Sequence, residues 1–134
     1  MIKLCYKEYD WKISNEACKS FFDKTGLDLQ TVFGDYVEAS IETNGKSLIS
    51  RMQIFSRLYS RKVASLALFS IIKPVNNSVS LAEIDDGTYR VSWQISDRPD
   101  DLSEPWPIVM YQTALSINEY FNANIPKKKA DISE

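Results

Sequence analysis

The sequence predicts an α+β fold that is mainly α, in which an N-terminal β-hairpin packs on a bundle of about four helices. Apolar and polar residues alternate through residues 2–13, which is typical of strands. Apolar residues recur at helical spacing, without proline or glycine, between residues 47 and 73. A second alternating stretch predicts a further short strand or hairpin near 79–95.

The alternation at the N-terminus predicts a hairpin whose two-residue turn is Lys7-Glu8. All apolar side chains then lie on one face, in the pairs Tyr6–Tyr9, Leu4–Trp11 and Ile2–Ile13. An isolated hairpin is only marginally stable in water. We therefore expect helices or a partner to cover this apolar face.

Two helices are predicted after the hairpin. Ser14 or Asn15 can cap the first helix, and Gly26 supplies the left-handed residue that follows it. Asp28 can cap the second helix. Residues 43–46 then read as a turn, because asparagine and glycine stand side by side there.

The longest helical pattern begins at Ser47, which can cap it, and ends before Pro74, which cannot continue it. As one helix it would be a rod of roughly 40 Å. The pattern leaves open a kink near Ser60.

The stretch after this helix has two interpretations. Ser80 and Glu83 have the spacing of a capping box, which predicts a helical turn. The alternation of apolar and polar residues at 89–95 predicts a strand, and we prefer this interpretation, with 79–84 as its hairpin partner or as a single helical turn. Pro105 and Pro107 open a last helix that ends at Ile125-Pro126. We expect one globular domain at 1–126 and a disordered polar tail at 127–134.

The charges of the chain are unevenly distributed. The 134 residues carry a net charge of −2. Residues 43–82 contain six basic and no acidic side chains, whereas residues 83–104 contain seven acidic and two basic ones. These surfaces can meet within one molecule, which we favour, or between copies of the protein.

Few residue types suited to catalysis are available. The sequence has no histidine, two cysteines and four isolated glycines, and we interpret the acidic stretch as a solvated loop. We therefore expect no enzymatic activity, no metal and no cofactor. We expect no nucleic-acid partner either, given the negative net charge. No apolar run reaches the ~20 residues of a membrane span. A cytoplasmic location without a membrane partner is the expectation.

Seven residues are candidates for binding a protein partner. Aromatic residues serve as anchors at interfaces when they are exposed, and basic residues on one helix face can pair with an acidic surface. The aromatic candidates are Tyr6, Tyr9, Trp11 and Trp106, and the basic candidates are Arg51, Arg57 and Arg61.

The N-terminal third carries a family resemblance. Its residues are Ile2, Leu4, Lys7, Tyr9 and Lys12, followed by Thr25, Gly26, Asp28 and Leu29. This pattern resembles the start of tail assembly chaperones of long-tailed bacteriophages, which has the form I-x-L-x-G-K-x-Y-x-L-R, then a helix and a T-G-x-D-L junction. Tyr6 stands where those proteins often have glycine, and later parts match only in layout.

The resemblance implies a non-catalytic function. Such chaperones coat the helical tape measure protein in the host cytoplasm before tail tube subunits polymerise around it, and they are absent from the finished virion. The uneven charges would suit head-to-tail self-association of such a protein. The alternative is a structural virion or connector component, or a small cytoplasmic adaptor.

Overall fold

A computed structural model describes residues 1–4, 7–90 and 105–124, without the side chains of residues 123 and 124. Within these ranges the chain forms a two-stranded hairpin and a set of α-helices, which confirms the α+β, mainly α prediction. The strands are β1 (Ile2–Leu4) and β2 (Lys7–Tyr9). The helices are α1 (Asn15–Thr25), α2 (Leu29–Glu42), α3 (Leu48–Leu58), α4 (Arg61–Ile72), α5 (Leu81–Arg90) and α6 (Trp106–Asn124).

The hairpin forms in a different register from the predicted one. Ile2 pairs with Tyr9 and Leu4 with Lys7, so the predicted pairing of Ile2 with Ile13 is wrong. The chain leaves the hairpin after Tyr9, and the backbone N–H of Lys12 donates to the carbonyl of Ile71, 2.8 Å away. Carbonyls in the last turn of a helix lack hydrogen-bond partners within the helix. The carbonyl at the end of α4 therefore accepts from the segment after Tyr9, and this segment does not continue the strand.

Side chains at the helix starts confirm most of the predicted boundaries. Ser14, Asp28 and Ser47 each accept a hydrogen bond from the backbone N–H three residues later, as does Ser80 at the start of α5. Gly26 follows α1 with a φ of 72°, the left-handed conformation that glycine adopts without strain. These caps satisfy backbone donors that have no partner inside the helix.

The predicted helix from 47 to 73 is two helices. Tyr59 is extended, with φ −145° and ψ 157°, and Ser60 then caps α4 by accepting from the N–H of Val63. The Tyr59 hydroxyl donates to the Asp35 carboxylate in α2 at 2.5 Å. A local cap and a tertiary hydrogen bond therefore offset the lost helical turn.

Residues 81–90 form a helix, so the predicted strand is wrong at Tyr89 and Arg90. The prediction of 79–84 as its hairpin partner is also wrong, since residues 81–84 begin this helix. Residues 91–95 lie outside the described residues. Ile84 and Thr88, one turn apart, are both fully buried, whereas Tyr89 is 67% exposed. Helical spacing places Ile84 and Thr88 together on the face that packs on α4, and a strand at 89–90 would not produce this packing.

The core is built around α4, where Ala64, Ala67, Leu68 and Ile71 are fully buried. α1 and α5 pack on α4, and α2 and α6 make the most extensive contact between described elements. β1 contacts both α5 and α6, so helices cover the apolar face of the hairpin as expected. The predicted tail at 127–134 lies outside the described residues.

Candidate functional site

A solvent-open groove of about 470 Å³ runs between α2 and α6. Two apolar rows face each other across it. The row on α2 consists of Phe33, Gly34, Val37 and Ile41, and the row on α6 consists of Ala114, Ile117 and Phe121. Each row has the three- and four-residue spacing of one helix face. We call this feature the α2–α6 groove.

The groove has a buried floor and an exposed apolar rim. Phe33, Ala114 and Ile117 are almost fully buried and form the floor. At the rim, the Ile41 side chain is 71% exposed and that of Phe121 is 37% exposed. Exposed apolar side chains beside a concave surface are typical of binding sites.

Gly34 keeps the middle of the groove open. A Cβ atom built on this glycine would meet no heavy atom of the described residues within 4 Å. Glycine in a helix interior costs roughly 0.5–1 kcal/mol relative to alanine. Among the described residues, a side chain at this position would meet no neighbour. The glycine therefore leaves open space in the groove, at a cost in helix stability.

The charged side chains of the lining are acidic. Among the described residues that line the groove, Asp35 and Glu38 carry charge and none is a lysine or arginine. The Asp35 carboxylate accepts a hydrogen bond from the Tyr59 hydroxyl. Burial, followed by this hydrogen bond, raises the pKa of the Tyr59 phenol to about 12. The hydroxyl therefore remains a donor to Asp35 at neutral pH.

An aromatic cluster supports the groove from behind. Tyr36 of α2 is fully buried and packs against Phe55 and Tyr59 at centroid distances of 6.3 and 6.2 Å. Phe55 stacks on Tyr111 of α6 at 5.0 Å, and the Arg51 guanidinium lies 5.7 Å from the Tyr111 ring. Burial raises the pKa of the Tyr36 phenol. The cluster joins α2, α3 and α6 and so fixes the spacing of the groove walls.

The predicted aromatic anchors do not form one exposed surface. Tyr9 and Trp106 are each 6% exposed, and the Tyr9 hydroxyl donates to Glu83 at 2.6 Å, so both contradict the expected exposure. Tyr9 ends β2 and Trp106 begins α6, and both side chains belong to the hydrophobic core. Trp11 is half-buried, with its ring edge-to-face against Tyr120 at 6.0 Å. Tyr6 lies outside the described residues.

The three predicted arginines point to different surroundings. Arg51 is half-buried over the aromatic cluster, and Arg57 is exposed. Arg61 is half-buried, and its guanidinium donates to the Asp85 carboxylate at 2.9 Å. This pair joins the basic and acidic stretches within one molecule, as the favoured interpretation of the charges expects. The acidic residues at 97–104 lie outside the described residues.

Sequence reasoning missed the groove, although two signals were present. Gly34 interrupts a helix pattern, which often has a packing or functional reason. Ile41 continues the spacing of Phe33 and Val37 beyond the buried part of α2.

No described helix is long and apolar enough to cross a membrane. In the same part of the chain, no group of three or more histidine, cysteine, aspartate or glutamate side chains is placed to hold a metal ion. No protein-family model, curated protein or solved structure matches the chain.

Proposed function

We propose that this protein is a non-catalytic tail assembly chaperone of a phage or prophage, acting in the host cytoplasm. In this role it binds helical segments of the tape measure protein in the α2–α6 groove and helps to recruit tail tube subunits. The resemblance of the N-terminal sequence pattern supports this class of protein, and the groove with its exposed apolar rim supports a binding role.

The dimensions of the groove suit a helix. Its lining on α2 extends from Gln30 to Ile41, roughly 16 Å along the helix axis. A partner helix would cross this length in about three turns and present apolar side chains at the i, i+3/i+4 and i+7 positions. One such contact is small and therefore weak, but repeated contacts along a rod, together with self-association of the chaperone, add by avidity.

The first test is co-expression with the tape measure protein of the same genome, followed by purification of the complex. The Gly34→Leu variant puts a side chain into the open middle of the groove, and leucine is a better helix former than glycine. The variant should therefore fold and lose the complex.

The matched control is Ala82→Leu. Ala82 is exposed on α5 and lines a second hollow of about 390 Å³ between α4 and α5. This variant should retain the complex. Loss of the complex in Ala82→Leu but not in Gly34→Leu would move the site to α4 and α5. Recovery of the protein from purified virions would instead favour a connector component.

A further inference from the structure

We infer that the helix bound in the α2–α6 groove is amphipathic, with an apolar face flanked by lysine or arginine. This inference rests on the proposed function and specifies the chemistry of the partner segment. It combines two features of the groove: an open apolar middle at Gly34 and an acidic rim at Asp35 and Glu38.

The apolar part of the partner is set by the floor and by Gly34. Phe33 and Ile117 form an apolar floor. Within 4 Å of a Cβ position at Gly34 there is no heavy atom of the described residues. A large side chain such as leucine or phenylalanine can fill this space. Ile41 and Phe121, both exposed at the rim, would be covered by the neighbouring turns of the partner.

The basic part of the partner is set by Asp35 and Glu38. These residues are three positions apart on α2, about 4.5 Å along the helix axis. Lysine or arginine residues one turn apart on a partner helix can reach both carboxylates. Because Tyr59 already holds the Asp35 carboxylate, less side-chain entropy is lost when a cation pairs with it.

Two other occupants fit these features less well. The C-terminal segment of the chain, residues 125–134, has three consecutive lysines but only two large apolar residues, Ile125 and Ile132, and a proline at 126. It therefore lacks the apolar face that the floor requires. A second copy would have to present an unpacked basic helix. The basic helices α3 and α4 are both packed in the core of their own molecule, α3 through Met52 and Phe55 and α4 through Ala64 and Leu68.

The experiment uses three labelled peptides of about 15 residues, since shorter isolated helices are marginal. All carry the same leucine pattern at helical spacing, and their flanking positions are all lysine, all glutamine or all glutamate. Binding to the full chain is measured by fluorescence anisotropy at low and high salt.

We expect the lysine peptide to bind about 3- to 10-fold more tightly than the glutamine peptide, and the glutamate peptide most weakly. The preference should shrink at high salt, because exposed ion pairs are screened. Glu38→Lys brings the charge of the described lining from −2 to 0, because Asp35 remains, and should therefore abolish the preference. Glu119→Lys, which changes an exposed acid of α6 outside the groove lining, should leave it unchanged.

Several outcomes would overturn the inference. Equal affinity for the three peptides would do so and leave the proposed function intact. A lysine peptide that binds equally well to Gly34→Leu would place the site elsewhere. A gain of tenfold or more in affinity after truncation beyond Asn124 would identify the C-terminal segment as the occupant. A dimer that Gly34→Leu converts to a monomer would identify a second copy.

The two proposals fail separately. If the lysine peptide binds with the expected preference but the tape measure protein does not co-purify, the chaperone function is wrong and the groove chemistry stands. If the tape measure protein co-purifies but no peptide shows a charge preference, the inference about the charge of the partner helix is wrong and the chaperone function stands.

Discussion

Gly34 and Gly87 both lie within helices, but their surroundings differ. Gly34 faces open space in the groove. A Cβ atom at Gly87 would lie 3.1 Å from the Cβ of Leu4, which belongs to β1. Because that atom is attached directly to the strand backbone, it has little freedom to move. The two glycines therefore allow helix propensity to be separated from packing.

Gly34→Ala should raise the free energy of unfolding by about 0.5–1 kcal/mol, since alanine is the better helix former. At Gly87 the same gain is opposed by overpacking against Leu4, which typically costs 1–3 kcal/mol. Gly87→Ala should therefore be less stable than the wild type by about 1 kcal/mol. Urea unfolding of both variants tests this, and a stabilised Gly87→Ala would show that β1 can shift away from α5.

We expect the raised pKa of the Tyr59 phenol to lower the free energy of unfolding at alkaline pH. Its pKa rises to about 12 in the folded state, mainly through burial and then through Asp35, and is about 10 when unfolded. Below about pH 10 the phenol is protonated in both the folded and the unfolded state, and its full contribution to the free energy of unfolding is present. Above this pH the unfolded chain loses the proton first, so stability falls until the pH passes the folded-state pKa.

Tyr59→Phe should abolish this part of the alkaline decline and cost about 1 kcal/mol at neutral pH through the lost hydrogen bond. Urea unfolding between about pH 8 and pH 11 measures both effects. Tyr89→Phe removes an exposed phenol and serves as the control. An unchanged pH profile in Tyr59→Phe would mean that Tyr36, whose pKa is also raised by burial, carries the effect.

At the scale of elements, the sequence predicted where helices start better than it predicted features that depend on tertiary contacts. Ser14, Asp28 and Ser47 were predictable because a cap is a local hydrogen bond. The break at Tyr59 was harder to predict, since its hydroxyl bonds to Asp35, 24 positions earlier in the chain. The register of the hairpin likewise depends on a contact between Lys12 and the end of α4.

The junction of α4 and α5 depends on a buried pair of hydroxyl groups. The Ser65 and Thr88 hydroxyl oxygens lie 2.6 Å apart, and Arg61 also donates to Thr88 at 3.2 Å. Both Ser65 and Thr88 are buried. This polar contact fixes the rotation of α5 about its axis against α4. The pattern of apolar and polar residues in the sequence does not predict this contact.

Thr88→Val keeps the shape of the side chain but leaves the Ser65 hydroxyl without this partner and the Arg61 guanidinium without this acceptor. We expect a loss of about 1–3 kcal/mol. Ser65→Ala should cost about 1 kcal/mol, and the double variant should lose less than the sum of the two single losses because the residues share one contact. Additive losses in urea unfolding would show that the two hydroxyl groups act independently.

At the scale of the whole molecule, the charge pattern bears on self-association. Arg61–Asp85 at 2.9 Å and Lys7–Glu83 at 3.5 Å are pairs within one chain. Arg57 and Lys62 are exposed and remain accessible to another copy. Composition could predict this asymmetry. It could not predict the α2–α6 groove, because a groove depends on how two distant helices are spaced.

We expect salt-sensitive oligomers in sedimentation velocity over a series of protein and salt concentrations. Exposed ion pairs between copies weaken as salt rises, so the oligomers should dissociate between about 0.05 and 0.5 M salt. Arg57→Glu should weaken the association at low salt. A monomer at every concentration and salt would place the charge asymmetry wholly within one molecule.

The edge-to-face contact of Trp11 with Tyr120 connects the N-terminal segment to the rim of the groove. Tyr120 in turn contacts Phe121 at a centroid distance of 5.7 Å, and Phe121 lines the groove. Indole emission responds to nearby rings and to solvent, so a change at Phe121 can reach Trp11 through one intervening ring. With the other two tryptophans replaced by phenylalanine, the protein would carry its own optical reporter of whether the groove is occupied, without any attached dye.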